Sequence, residues 1–360
     1  MASGSGGSGF WNRWLGSGSG SLPQVARTRL GIVGGAAALL TLVAGAAAGS
    51  LGWIGLPYTI EVPLATWPGY EYLYLAHRKG LAKPFGLRLR TRDYPYPQAI
   101  VHAYLRGELD VAQLTTVEAV DICHQQPKRC PVVVLILDES RGGDMVAARR
   151  EFGSISELRG RRVAVTPSTL GPYVLSRALE REGMGLGDVQ VVPMPMGEMA
   201  GRLARREVEG AAFFPPFSDY ALRVGLAAVV FDSSAIPGEI FDVLVVAPEV
   251  VLQHRRELVQ LLRTWQAAHD YADRHPDEAD QLMAFREKLS VARFRQAEQG
   301  LFYPDLRAQQ ALLAPGGVLD QNLAAVQRVQ VALGLVREGA PLPRVDDEPL
   351  RQAVASMGAQ

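Results

Sequence analysis

Short apolar runs alternate with amphipathic stretches through most of the chain. Runs rich in Val, Ile, Leu and Ala are typical of buried strands, and apolar positions at helical spacing lie between them. The strands predicted in this way cover residues 59–65, 88–93, 111–114, 132–137, 163–165, 189–192, 211–214 and 228–231. The predicted helices cover residues 70–79, 99–106, 117–124, 173–181, 199–206 and 217–224. This alternation predicts mainly parallel sheets covered by helices, an α/β fold.

Two further strands, 144–148 and 241–246, interrupt the alternation, and each has an acidic residue at its start. We interpret them as crossovers between two α/β lobes. Lobe one then comprises residues 57–143 and 247–340, because the region after Pro248 is helical and should pack on it. Lobe two comprises residues 144–246. The polar, proline-containing residues 341–360 are predicted to be a C-terminal tail.

The first 56 residues differ in composition from the rest. Residues 1–29 are rich in Gly and Ser, which predicts a flexible tail. Residues 30–56 are apolar and follow Arg27 and Arg29, a pattern typical of a signal peptide or a signal anchor. The length favours an anchor, whereas Ala46-Ala47-Ala48 offers a cleavage site. Either alternative predicts that the lobes lie outside the cytoplasm, as a periplasmic or extracytoplasmic protein.

The overall charge excludes one class of partner. The 37 basic and 37 acidic residues balance, and no basic stripe with interleaved aromatic residues occurs, so no nucleic-acid partner is expected. The hydrophobic content of 48% suffices for two cores. Only Cys123 and Cys130 are present; an exported location permits a disulfide between them, and two free thiols are the alternative.

Motifs for catalysis are missing from the sequence. The six histidines show no metal-ligand spacing, and neither a phosphate-binding loop nor a nucleophile elbow occurs. We therefore expect no enzymatic activity, no metal and no cofactor.

Residues suited to ligand binding follow the predicted strands. The carboxyl ends of strands in open α/β sheets present helix N-termini to a ligand. Trp67 follows the first strand, Thr115 and Thr116 follow the third, and Ser168 and Thr169 precede a helix in lobe two. Unpaired N–H groups and hydroxyls there would donate hydrogen bonds to a ligand, unless the Ser and Thr residues only cap helices. Thr115 and Glu118 fit a capping box.

Aromatic and acidic residues complete the predicted site. Trp67 would form one stacking wall and Phe217 the opposite wall, although both also suit packing between lobes. Asp144, Glu239 and Asp242 lie at the two crossovers, where they would accept an ammonium or ring N–H group. Their alternative role is to bind backbone N–H groups at the hinge. Helix N-termini together with acids favour a zwitterion or a polar heterocycle as the ligand.

Several motifs in order resemble one known family. They are the segment TIEVPLATWPGYEYLYLAHRKG (59–80), GELDVAQ (107–113), SRGGDMVAARREFGSISELRGRRVAV (140–165), GAAFFPPF (210–217) and PGEIFDVLVV (237–246). This set resembles periplasmic substrate-binding proteins of ABC importers, in the nitrate/sulfonate/taurine and thiamine-precursor (NMT1/THI5-like) group. The resemblance covers roughly residues 58–335. The acidic residue usual before the strand at 211–214 is replaced by Gly210-Ala211.

The resemblance implies a fold and a role. The fold would be periplasmic-binding-protein type II-like, with two lobes joined by two crossover strands. The protein would capture a small organic solute, such as a sulfonate, a nitrate-like anion or a thiamine-type pyrimidine, and deliver it to an ABC permease. One alternative is an enzyme on the same fold, resembling those of thiamine-pyrimidine synthesis, but two cysteines cannot supply their Cys-rich motif. A second alternative is a ligand-sensing ectodomain.

Overall fold

The structure is a computed structural model that describes residues 58–166 and 170–357. The predicted tail at 1–29 and the predicted anchor or signal peptide at 30–56 lie outside these residues. Within the described ranges, no helix has the length and apolar character required to cross a membrane.

The first part of the chain alternates strands and helices as the pattern predicts. In chain order the elements are β1 (Thr59–Leu64), α1 (Glu71–Lys79), β2 (Arg88–Asp93), α2 (Pro97–Leu105), β3 (Val111–Thr115), α3 (Thr116–Gln125) and β4 (Val132–Ser140). β3 and β4 are buried along their whole length, in keeping with their continuous apolar runs. β1 and β2 form a parallel pair of their own.

The middle of the chain builds a second sheet. Its elements are β5 (Met145–Arg149), β6 (Arg162–Val165), α4 (Leu170–Glu180), β7 (Gln190–Pro193), α5 (Met196–Ala204), β8 (Gly210–Phe213), α6 (Asp219–Arg223) and β9 (Ala227–Asp232). The strand order is β7-β6-β8-β5-β9. β6 runs parallel to β7 and β8, whereas β5 runs antiparallel to β8 and β9, because the crossover enters the sheet from the other lobe.

The chain then returns to the first lobe. The remaining elements are β10 (Phe241–Val246), α7 (Pro248–Gln253), α8 (Arg255–Arg274), α9 (Pro276–Glu287), α10 (Val291–Glu298), β11 (Leu301–Phe302), α11 (Leu306–Leu312), α12 (Val318–Ala332), β12 (Arg344–Val345) and α13 (Glu348–Met357). The sheet of the first lobe has the order β11-β4-β10-β3, with β12 parallel to β4.

The structure confirms the predicted fold class, two α/β lobes joined by two crossovers. The crossovers themselves are the links at 141–144 and 233–240, between β4 and β5 and between β9 and β10. The predicted end of lobe two at residue 246 is wrong, because β10 pairs antiparallel with β3 and β4 of the first lobe.

The predicted tail at 341–360 is also wrong for most of its length. Residues 344–345 pair with β4, and α13 buries Leu350 and Ala353 completely against the first lobe. The prolines before this segment led to the prediction of a tail, although the residues after them form a short helix with one buried face.

Candidate functional site

A cleft lies between the two lobes, with a volume of about 510 Å³ including its open mouth. Its lining comes from both lobes and from the first crossover. The lining residues are Trp67, Tyr70, Pro97, Gln98, Thr115, Glu118, Asp144, Thr166, Leu170, Gly171, Val174, Met196, Ala212, Phe213, Phe214 and Asp242.

The turn after β1 places an indole in the wall of the cleft. Trp67 is only 4% exposed, and its ring meets that of Phe214 edge-on at a centroid distance of 5.2 Å. Its indole N–H donates to Oδ2 of Asp138 over 3.2 Å. A Cβ atom at Gly69 would overlap the Asp138 carboxylate and lie 2.9 Å from the indole nitrogen. The Trp-Pro-Gly motif therefore permits this close pairing of indole and acid.

A buried ion pair from the C-terminal helices supports the same turn. Arg286 of α9 pairs with the fully buried Glu71 and donates to the carbonyl oxygen of Ala65 over 2.6 Å. The neighbouring Glu287, which is also buried, accepts a longer hydrogen bond from the same guanidinium over 3.4 Å. The position of Trp67 thus depends on residues more than two hundred positions away, which no local pattern reveals.

The start of α3 carries the predicted capping box, and the structure confirms it. Thr115 Oγ1 accepts the Glu118 backbone N–H over 3.1 Å, and Glu118 Oε2 accepts the Thr115 backbone N–H over 3.1 Å. The other oxygen, Oε1, is buried and has no hydrogen-bond partner among the described residues. Burial raises the pKa of Glu118 to about 7.

A chain of hydrogen bonds joins the aromatic wall to the crossover. Tyr70 donates its hydroxyl to Oδ1 of Asp242 over 2.5 Å, and Asp242 lies beside Asp138, which accepts the indole N–H of Trp67. The two aspartates are register partners on β10 and β4. Burial raises the pKa of both carboxyls, and the neighbouring charges of Asp144 on Asp138 and of Asp138 on Asp242 raise them further, so the pair retains a proton near neutral pH.

Asp144 adds a fourth buried acid at the first crossover. It is 3% exposed, and its backbone N–H donates to the Ser140 hydroxyl over 3.0 Å. Burial raises the pKa of Asp144 to about 6. It lines the same cleft as Asp242.

The cleft combines these acids with apolar walls. No lysine, arginine or histidine is among its described lining residues, and no cysteine is present there either. No group of three or more His, Cys, Asp or Glu side chains within the described ranges is arranged to hold a metal ion. The arrangement can accept hydrogen bonds and receive positive charge.

The predicted site residues fall into three groups. Trp67, Thr115, Asp144 and Asp242 line the cleft together. Ser168 and Thr169 lie outside the described residues. The remaining three, Thr116, Phe217 and Glu239, are absent from the lining.

Each of these three has another environment. Thr116 is fully buried in the first turn of α3. Phe217 packs behind Phe214, at a ring-centroid distance of 5.7 Å. Glu239 accepts the hydroxyl of Tyr173 over 3.0 Å and the guanidinium of Arg177 over 2.7 Å, so its carboxylate fastens the second crossover to α4.

Other residues at the cleft are not predicted by the sequence. The pattern predicts Glu118 only as a capping residue, and it does not single out Asp138, Tyr70 or Phe214. An acid that ends a long apolar strand, as Asp138 ends Val132–Leu137, is the one local signal that could have identified a member of this group.

The cysteine pair lies at the far end of α3. The structure joins Cys123 and Cys130 in a disulfide, with Cα atoms 4.2 Å apart. The bond closes the short loop between α3 and β4, outside the cleft.

Two α/β lobes, two crossovers and an interlobe cleft define the class of periplasmic binding proteins in fold. Residues 59–285 match the model of the NMT1-like family, which is more than half of the chain. The protein belongs to the NMT1-like family.

Known proteins with similar sequence or structure agree with this class. The chain is 23% identical over 224 residues to the "Putative binding protein" of Brucella abortus (strain 2308), covering 61% of this chain and 69% of the relative. The alkanesulfonate-binding protein SsuA from Xanthomonas axonopodis pv. citri, bound to MOPS, superposes with a TM-score of 0.66 at 13% identity. That match covers 81% of this chain and 99% of SsuA.

Two further solved structures share the fold. The ligand-binding component of an ABC-type import system from Staphylococcus aureus, with zinc bound, gives a TM-score of 0.66 at 16% identity, covering 82% of this chain and 98% of its own. The desulfurization enzyme DszB gives a TM-score of 0.61 at 19% identity, covering 83% of this chain and 99% of its own. The fold therefore hosts both binding proteins and an enzyme.

Proposed function

We propose that this protein is an exported solute-binding protein that captures a small organic solute between its lobes and delivers it to an ABC permease. The observation that carries the proposal is the interlobe cleft, lined from both lobes and from the first crossover. A solute held there would contact both lobes at once, so its binding would favour the closed arrangement. The closed shape is what a permease would recognise.

The chemistry of the cleft indicates which groups the solute carries. The wall residues Glu118, Asp144 and Asp242 offer carboxyl oxygens, and the described lining offers no basic side chain. The solute should therefore carry N–H or ammonium donors, as a zwitterion or a polar heterocycle does. An apolar part would lie against Trp67 and Leu170.

An enzyme on the same fold is the second candidate, favoured by the likeness to DszB. The cleft offers it little support. The chain's two cysteines are joined in a disulfide outside the cleft, and no described lining residue is a histidine or lysine that could act as base beside a nucleophile.

Mass spectrometry of the solute released from natively purified protein tests the proposal. We expect a bound small molecule that returns unchanged in mass after prolonged incubation with the purified protein. Conversion of that molecule into a product would instead support the enzyme. Alkaline phosphatase fused after residue 58 tests the location, and an inactive fusion would contradict export.

A further inference from the structure

Four carboxyl groups are buried around the cleft without a cation to balance them. Glu118, Asp138, Asp144 and Asp242 are each at most 4% exposed. No ion pair connects any of them to a lysine, arginine or histidine of the described residues. Burying unpaired carboxylates is costly, so each must either keep a proton or receive a positive charge from outside the chain.

The surrounding titratable groups do not supply that charge. Tyr70, beside Asp242, donates a neutral hydroxyl. On α3, Asp121 is a fifth acid, bound to Gln125 over 2.7 Å.

The groups on the neighbouring elements are likewise neutral or already paired. On β4, Glu139 is paired with Arg141 over 2.7 Å, so this guanidinium is already engaged. On α4, Tyr173 is bound to Glu239, and after β11 Tyr303 is bound to Glu298.

One oxygen of the cleft lacks a partner. Glu118 lines the cleft, its Oε2 is held by the capping box, and its Oε1 is buried without a hydrogen bond among the described residues. A buried polar atom in this condition is normally satisfied by a ligand or by water. This unpaired oxygen indicates a ligand independently of how many acids surround the cleft.

We propose that the cleft selects solutes with a positively charged nitrogen on an apolar body, the charge being received by Glu118, Asp144 and Asp242. The apolar body would lie between Trp67 on one lobe and the side chains of Leu170, Val174 and Met196 on the other. This inference rests on the proposed solute-binding function. It assigns the site the opposite charge preference from the alkanesulfonate-binding protein that shares the fold.

Proton release accompanies this mode of binding. In the empty cleft, burial raises the pKa of Glu118 to about 7 and of Asp144 to about 6, so part of the population is protonated near neutral pH. An entering cation favours the carboxylate. The O–H bond of the acid then breaks, the proton passes to bulk water, and the ammonium group takes its place. Affinity should therefore fall as the pH is lowered through this range.

Matched probes test the inference by isothermal titration calorimetry. Each set contains the ammonium, the alcohol and the sulfonate of one carbon skeleton, and the skeletons are butyl, cyclohexylmethyl and 2-phenylethyl. We expect binding by ammonium members only, with at least about a tenfold loss of affinity between pH 8 and pH 5.5. Titrations in two buffers of different ionisation enthalpy should show protons released on binding.

A variant and its control assign the effect to the cleft. Glu118→Gln keeps the capping-box chemistry, since Gln also serves at that position, but removes the charge. It should weaken ammonium binding at least about tenfold and flatten its pH dependence. Glu182→Gln, an exposed acid outside the cleft lining, should change neither.

Three results would overturn the inference. The first is an alcohol or a sulfonate that binds as tightly as the matching ammonium ion. The second is ammonium binding whose affinity changes neither with pH nor in the Glu118→Gln variant. The third is that none of the three ammonium ions binds. A bound sulfonate or alcohol would leave the solute-binding function standing. Chemical conversion of the natively bound molecule would overturn that function instead.

Discussion

Neutralising Glu118 should change stability in a pH-dependent way. Its carboxyl is 2% exposed, and burial raises its pKa from the ordinary 4.5 to about 7. The folded state then binds more protons than the unfolded state between these values, so stability falls as the pH rises from about 4 to 8. The Glu118→Gln variant should not show this fall in stability, because the Gln side chain carries no charge at either pH.

The magnitude follows from the two pKa values. A difference of this size corresponds to about 3 kcal/mol between the two ends of the range. Gln still places a polar atom where Oε1 has no partner, which costs about 1–3 kcal/mol at every pH. The predicted quantity is therefore the change with pH: relative to wild type, Glu118→Gln should gain about 3 kcal/mol between pH 4 and pH 8.

Urea unfolding of ligand-free protein at both pH values measures this quantity. Glu182→Gln is the matched control, since Glu182 is exposed and outside the cleft. The control should differ from wild type by less than about 0.5 kcal/mol at either pH. If Glu118→Gln lowered stability equally at pH 4 and pH 8, the carboxyl would not be held protonated by burial, and the electrostatic description of the cleft would be wrong.

Three further predictions concern the cleft wall and the disulfide. Trp67→Ala should weaken binding of the natively released solute by about 1–3 kcal/mol in calorimetry, and unchanged affinity would make Trp67 a packing residue only. Gly69→Ala should lower the melting temperature, because its Cβ would displace the Asp138 carboxylate from the indole; Gly187→Ala, whose Cβ meets nothing within 4 Å, is the control. Cys123 and Cys130 should resist alkylation unless reductant is added, and labelling of both thiols in protein from its native compartment would disprove the pairing.

The two lobes were predictable because buried strands appear in the sequence as apolar runs. β3 and β4 are buried throughout and begin with apolar runs, and Asp144 and Asp242 stand at the starts of apolar strands where the pattern changes. The partner of β10 was not predictable, because an apolar run carries no information about which sheet it joins. The predicted boundary at residue 246 failed for that reason.

The cleft was predictable only in part. Trp67 and Thr115 occupy strand-end turns, whose position in an α/β fold is general. Asp138 pairs with Trp67, which is distant in sequence, and such pairing appears only in three dimensions. Glu118 pairs locally with Thr115, and only the packing of the two lobes places it in the cleft lining. Glu239 looked equivalent to Asp242 along the chain, yet Arg177 engages its carboxylate.

The position of β10 has a consequence for the order in which the chain folds. β3 and β4 are consecutive strands, yet they do not pair with each other, because β10 lies between them. The first sheet therefore cannot be completed until residues 241–246 are available, because β3 and β4 each lack the strand between them before then. The second sheet needs only the contiguous residues 145–232. We expect the inserted lobe to form while the N-terminal one is still incomplete, so that the part of the chain that emerges first is the last to be finished.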